Sequence, residues 1–551
     1  MFTRREFLMS LTPAALPAGL KLDHKWQGPY CQSKLTNKGK IAVKVKEVVL
    51  FRYTHTMPPP TPIYGEGFQM LSQTAGTVGL PVPMTRYTDA KHYRLPEPEG
   101  ANVFYGMMRL GEQTLAFTSC RRFIGKFYVR AGVVEIVVDT ENLSLAPGES
   151  WELEEFFLPK NGDAMAMLGD RIVKNHPPLK PAQPPTGWCS WYCFGPRVTS
   201  KQVLDNLDFI SKEIPNLKYI QIDDGYQPAM GDWLETGKAF GGDVQGVLKA
   251  IRAKGFEPAI WVAPFIAQRE SNLYQQHKDW FIKDHSGNPL ASNQVTFGGW
   301  RFPPWFALDG THPAVQEHFE KLFRTMRNEW GVTYFKLDAN FWGAMHGGHL
   351  HDEKATRIEA YRRGMAAILK GAGDSFILGC NHPLWPSFGL IHGSRSSGDI
   401  NRKWQTIAVT ARENLSRNWQ NGKLWWNDPD CVLLTGDLPE NEFYFHAAAI
   451  YATGGMLLSG DDLTKIPPGR LAMLRKLLPP TGVPAVFEDV SLKVGVVKLK
   501  DKHVYCVFNW TDAPQSISVD AKGPLKDFWT GAAASAELKD MPPHSARLLV
   551  G

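Results

Sequence analysis

At 551 residues the chain is too long for one compact core and long enough for two to four domains. Its 43% hydrophobic and 21% charged content is that of ordinary globular protein, and a net charge of +6, spread out with no basic run, argues against nucleic acid as a partner. The 18 tryptophans, within a 12% aromatic share, suit either a ligand with flat apolar faces, such as a sugar, or aromatic core packing.

The chain opens Met1-Phe2-Thr3-Arg4-Arg5-Glu6-Phe7-Leu8-Met9, with a modest apolar stretch to about Leu20. Twin arginines before Phe-Leu resemble a bacterial twin-arginine export signal over residues 1–21, and the expected location is the periplasm or beyond. The competing reading is the basic first turn of a surface helix. No apolar run is long enough to span a bilayer, so no membrane partner is expected. Seven scattered cysteines show no metal-ligand spacing; Cys189 and Cys193 could pair but read better as packed free thiols.

From Ile41 to Leu158 short runs alternate apolar and polar side chains, as in Ile41–Leu50 and Val133–Asp139, which predicts an N-terminal β-sandwich over residues 22–180. Prolines at 177–178, 181 and 184–185 mark a linker. Beyond it, apolar strands at Tyr219–Ile222, Pro258–Val262, Tyr334–Leu337 and Phe376–Gly379 alternate with amphipathic stretches at 203–212, 244–254, 313–330 and 354–370. That alternation predicts an α/β fold with a central (β/α)8 TIM barrel over 181–470. Short strands from Val494, His503 and Ala546 predict a small all-β C-terminal domain over 471–551.

In such a barrel, residues at the C-terminal strand ends meet the substrate. Lys336 and Asp338, two apart on one strand, share a face, and a lysine beside a carboxylate favours its ionised form. A nucleophile needs that, but so does a structural ion pair capping a strand. Asp223 and Asp224 are adjacent carboxylates after a buried strand, suited to vicinal hydroxyls or to capping the next helix. Trp191 and Trp261 stand at strand ends as stacking or core residues; Asn381 and Trp385 follow the Phe376 strand; Arg395 precedes Asp399 by four. Asp338 and Asp399, on different strands, could face each other as a retaining glycosidase pair, roughly 5 Å apart. His346, His349 and His351 lack the spacing of a helical zinc site, so no metal is expected and the run reads as a substrate-near loop.

Together, Ile222-Asp223-Asp224-Gly225-Tyr226, Trp261-Val262-Ala263-Pro264-Phe265, His277 to Phe281, Leu308 to Pro313 and Trp330 to Asp338 resemble glycoside hydrolase family 36, the melibiase-type α-galactosidases, related to family 27 and to raffinose synthases. The resemblance runs from about Gly187 to Asp430. It implies a retaining exo-α-galactosidase acting on an α-galactoside oligosaccharide or glycan without a cofactor. Asp338 matches the nucleophile, Asp399 the acid/base, and Asp223 and Asp224 the pair gripping the sugar hydroxyls. Lys336 and Arg395 match further contacts, and Trp191 and Trp261 the aromatic walls. The implied mechanism sets Asp338 low in pKa beside Lys336 and Asp399 higher in a drier spot. Asn381 departs from the family loop that reads the sugar 2-position, which leaves N-acetylgalactosamine open beside galactose. Transfer to a sugar acceptor, an inactive glycan-binding barrel and a homo-oligomer are also left open.

Overall fold

The structure is a computed structural model that describes residues 11–12, 16–159 and 162–551. The twin-arginine motif at Arg4-Arg5 lies outside the described residues. The centre is a parallel barrel of eight strands: Thr186–Cys189, Tyr219–Ile222, Glu257–Val262, Tyr334–Leu337, Phe376–Gly379, Gly393–Arg395, Trp426–Asp428 and Leu457–Ser459. Neighbours pair in sequence order, and the first also pairs with the eighth. The last seam closes where Met456 N–H donates to the Asn427 carbonyl at 2.8 Å and Val432 bridges Ser459 in parallel. Closure buries both faces of each strand, which is why the strands read as short apolar runs.

Alternation along the fourth strand sorts its side chains. Phe335 packs outward, edge-on to Phe323 of the helix Pro313–Asn328 at 5.0 Å, while Tyr334 stacks on Phe376 at 5.1 Å and Lys336 points inward. The helices Ser200–Glu213 and Arg357–Ala372 both start on threonine capping boxes, at Thr199 with Gln202 and at Thr356 with Glu359. The segment between the third and fourth strands is long and carries its own hairpin, Ile266–Gln268 with Trp305–Ala307, over the barrel mouth. The helix Pro468–Leu477 follows the eighth strand, so barrel structure runs past the expected boundary at 470.

N-terminally, five-stranded and nine-stranded antiparallel sheets enclose a core that includes Leu35, Leu50, Phe104, Phe127, Ile136 and Phe156. At the other end, a six-stranded sheet docks its strand Ser545–Val550 on the barrel helix Glu440–Thr453. Among the described residues no helix is long and apolar enough to cross a membrane, and all seven cysteines are free.

The sandwich is fastened to the barrel mouth. Met70 N–H donates to the His382 carbonyl at 2.9 Å, and Leu384 N–H to the Phe68 carbonyl at 2.8 Å. Trp385 is 1% exposed; its Nε1 donates to the Phe117 carbonyl at 2.8 Å, and its ring lies on Gly106. Gly106 has φ +71°, and a Cβ there would fall 2.1 Å from the indole. Trp385 therefore joins two domains and does not line the substrate site as expected. Beside it Arg417 and Glu66 form an ion pair at 2.5 Å with both side chains fully buried, Arg417 also donating to the carbonyls of Met70 and Ser396.

Breaking a buried pair strands a charge. Arg417→Ala should cost about 3–5 kcal/mol in denaturant unfolding. A Glu66→Gln, Arg417→Met double variant should recover a substantial part of that loss.

Candidate active site

Asp338 follows directly on the fourth strand, its N–H still donating to the Val262 carbonyl at 2.9 Å. The next residue, Ala339, turns into the left-handed region at φ +53°, and its N–H donates to Asp338 Oδ1 at 2.7 Å. Trp261 Nε1 donates to Oδ2 at 3.1 Å. Burial pushes the Asp338 carboxyl above the usual aspartate range, against the opposing pull of Lys336, the Ala339 N–H and Trp261. The expected low pKa is thus reversed. Burial outweighs Lys336, whose own ion pair lies elsewhere: Nζ reaches Asp223 Oδ2 at 2.9 Å, with both side chains nearly water-free. Trp261 is 1% exposed and edge-on to Trp233, so it serves as a donor to Asp338 and not as an open stacking wall.

Asp223 is held from several sides. Gln221 Nε2 donates to Oδ2 at 2.7 Å, the Cys189 thiol lies 3.4 Å from the same oxygen, and the Asp224 N–H donates to Oδ1 at 2.9 Å. Asp224 Oδ1 takes Gln227 Nε2 at 2.7 Å and lies 2.5 Å from Arg301 Nη1. Its Oδ2 is buried with no partner among the described residues. A buried orphan acceptor is costly unless a ligand hydroxyl fills it. Burial raises the Asp224 pKa, with Arg301 opposing.

Arg395 is the buried cation on the other flank. Its Nη2 donates to Asp430 Oδ2 at 2.8 Å, to Asp399 Oδ1 at 3.1 Å, and to the carbonyls of Ser397 and Gly398. Asp430 also accepts from the Ile400 N–H at 2.9 Å and from the Tyr192 hydroxyl. Burial lifts Asp428 to about 6, with Arg395 opposing. Asp399 itself is 67% exposed, not in the drier spot expected. It sits on a loop outside the packed strand end, yet close enough that its charge raises the Asp338 pKa. The loop is pinned by Glu413 Oε2, which accepts the Gly398 N–H at 2.6 Å.

The structure therefore brings together Asp223, Asp224, Lys336, Asp338, Trp261, Arg395 and Asp399. Asn381, at the end of the fifth strand, joins them through its neighbour Cys380, whose N–H donates to the Leu337 carbonyl at 2.7 Å. Trp191 lies half-buried in the short helix after the first strand. Trp385 is excluded. Arg301, Tyr192 and Asp430 went unassigned in sequence. Asp430 lay within the Asp428-Pro429-Asp430 run; a lone arginine between Trp300 and Phe302 after Gly298-Gly299 was the signal for the first. In the histidine run, His346 Nε2 meets the Tyr93 carbonyl, His349 meets His285, and His351 lies against His312. Among the described residues no three His, Cys, Asp or Glu side chains converge on a metal position.

A closed (β/α)8 barrel with carboxylates and paired cations at its C-terminal mouth is an arrangement that barrel glycosidases share. The Melibiase family model matches residues 220–371. Among curated relatives, the A type blood alpha-D-galactosamine galactosaminidase of Flavonifractor plautii is 29% identical over 208 residues, 35% of this chain and 18% of that protein. The bifunctional alpha-galactosidase/sucrose kinase of Mediterraneibacter gnavus is 25% identical over 167 residues, 27% of this chain and 17% of that protein. Such matches span about a fifth of those relatives' lengths. In fold, an alpha-galactosidase from Thermus thermophilus superposes with a TM-score of 0.67 at 22% identity, covering 87% of this chain and 98% of that one. The alpha-galactosidase from Lactobacillus brevis gives 0.68 at 13% identity, covering 97% and 79%.

Burial raises the Glu413 pKa to about 7 from an ordinary 4.5, with the Gly398 N–H opposing. A carboxyl raised on folding stabilises the fold below its unfolded pKa and loses that contribution as pH climbs through the folded one. Between pH 4.5 and 7 this group should remove roughly 3 kcal/mol of stability. Glu413→Gln should abolish that part of the slope in melting curves taken across pH 4.5–8.

Proposed function

We propose that this chain is a retaining exo-α-galactosidase that hydrolyses terminal α-linked galactose from oligosaccharides or glycans. The observation that carries the reading is Asp338, buried at a strand end and held on both oxygens, with a second, open carboxylate at Asp399 near enough for its charge to raise the Asp338 pKa. The unfilled Oδ2 of Asp224 supplies an acceptor for a sugar hydroxyl, with the Arg301 guanidinium beside it as donor. Lys336 and Asp223 form the floor of that grip. The relatives named for α-galactosidase activity support the same substrate class.

In the first displacement Asp338 attacks the anomeric carbon while Asp399 gives its proton to the departing glycosidic oxygen. In the second, Asp399 takes a proton from water, which attacks the same carbon and releases Asp338. Trp261 and the Ala339 N–H hold Asp338 in its line of attack. The positive charge that develops on the ring is met by a mouth rich in carboxylates. We also propose that the Arg4-Arg5 signal directs the folded chain to the periplasm or beyond.

Asp338→Ala should lower kcat/KM on 4-nitrophenyl α-D-galactopyranoside by at least about a thousandfold with an unchanged melting temperature. Asp399→Ala should be hurt far more on an oligosaccharide than on that aryl substrate, whose leaving group needs little protonation, and added azide should give α-galactosyl azide. Full activity of the Asp338 variant would sink the assignment. Replacing Arg4 and Arg5 by lysine should leave the protein in the cytoplasmic fraction of a bacterial host, and unchanged export would refute the signal.

A further inference from the structure

Asp399 has a task that needs a fixed position, yet packing does not fix it. An acid has to stand within hydrogen-bond reach of the oxygen it protonates, and this side chain is 67% exposed. Its place is set by the backbone that carries it. The two peptide N–H groups flanking Asp399 are each bound by a buried carboxylate: Gly398 N–H donates to Glu413 Oε2 at 2.6 Å, and Ile400 N–H to Asp430 Oδ2 at 2.9 Å. Upstream, Ser396 donates from its N–H to the Asp428 carbonyl at 2.9 Å and from its hydroxyl to Asn414 Oδ1 at 2.6 Å.

Asp430 differs from Glu413 in what else it holds. The same Oδ2 accepts from Arg395 Nη2 at 2.8 Å, and that nitrogen also donates to Asp399 Oδ1 at 3.1 Å. A third donor, the Tyr192 hydroxyl, reaches this oxygen from the helix Trp191–Phe194 after the first strand. One carboxylate oxygen therefore grips Asp399 twice, through the backbone beside it and through the cation on its side chain. The carboxylate is itself fixed: Oδ1 accepts the Cys431 N–H at 2.7 Å, and the Asp430 N–H donates to Asp428 Oδ1 at 3.0 Å. Asp430 also adopts φ +73°, a left-handed conformation that residues other than glycine keep where the surroundings over-determine it, often at active sites. Arg395 has one other carboxylate in range, Asp428 at 3.9 Å. Without Asp430 its charge would turn on Asp399, the group that has to release a proton to the leaving oxygen.

We propose that Asp430, with Tyr192 behind it, is the positioning residue of the acid/base step, holding Arg395 and the Ile400 N–H so that the exposed Asp399 carboxyl stays aimed at the glycosidic oxygen. Both residues act through Asp399 and not on the sugar. The inference rests on the galactosidase reading and adds the device that steadies its proton donor.

The test measures kcat/KM, which reports the first displacement, across aryl α-D-galactopyranosides from 4-nitrophenyl to 4-methoxyphenyl, whose leaving groups need progressively more protonation. Asp430→Asn should lose about thirtyfold on the 4-methoxyphenyl substrate and only about threefold on the 4-nitrophenyl one, steepening the dependence on leaving-group acidity. Added to Asp399→Ala, it should cause no further loss, because the group it positions is gone. Should Asp430→Asn melt early, Tyr192→Phe removes a single hydroxyl and should steepen the same dependence, with about a fivefold loss on the 4-methoxyphenyl substrate. A merely structural role would lower all substrates by one factor. That result, an unchanged series, or a further loss on top of Asp399→Ala would overturn the proposal. A wild type inactive on the whole series would overturn the galactosidase reading, and this inference with it.

Discussion

The mouth of this barrel is organised by an excess of buried negative charge over positive. Asp223, Asp224, Asp338, Asp428 and Asp430, with Asp399 above them, share Lys336, Arg301 and Arg395. Burial opposes ionisation, and it raises Asp224, Asp338, Asp428 and Asp430 above the ordinary aspartate range. Such a cluster is stable only while each cation is committed to a fixed place. It also suits a transition state that places positive charge on a sugar ring. Lys336 is the key commitment: by crossing to Asp223 it ties the second strand to the fourth and leaves Asp338 to be held by neutral donors.

That division separates gripping from reacting. Asp223 is saturated by Lys336, Gln221, Cys189 and the Asp224 N–H, so it acts as a fixed floor. Asp224 keeps one oxygen free. Asp338 has two directed donors and, among the described residues, no ion-pair partner, which leaves a carboxylate whose charge is compensated mainly at a distance by Lys336. Arg395 gathers Asp399, Asp430 and the loop carbonyls, so the acid/base loop is anchored through a buried cation although its carboxylate is open to water.

The sandwich is bound into the same network. Glu66 and Arg417 lock it to the loop bearing Ser396, Trp385 plugs into Gly106, and Tyr93 meets Asn381. Each contact joins residues hundreds of positions apart, and each falls at the C-terminal end of the fifth or sixth barrel strand or the helix that follows. Loops at that end carry the chemistry of any such barrel. A domain that packs there becomes part of the site.

The barrel was legible because strands buried on both faces must be apolar runs, and helices covering them must be amphipathic; Tyr219–Ile222, Tyr334–Leu337 and Phe376–Gly379 occur where those runs lie. The helix Glu440–Thr453 was not legible: it is buried nearly all round between barrel and C-terminal sheet and has no polar stripe to mark its period. Strand-end residues could likewise be named from position alone, since a parallel barrel has one mouth. Their partners could not. Lys336 and Asp338 share a face, but a lysine's length lets it choose Asp223; a tryptophan after a strand reads the same whether it lines a sugar site or, like Trp385, a domain seam. The sequence alone determined which side chains stand at the mouth, because alternation and strand order are local properties. Only the tertiary structure decided which of them pair, which are dry and which the sandwich holds, because burial and distance arise between segments far apart in the chain.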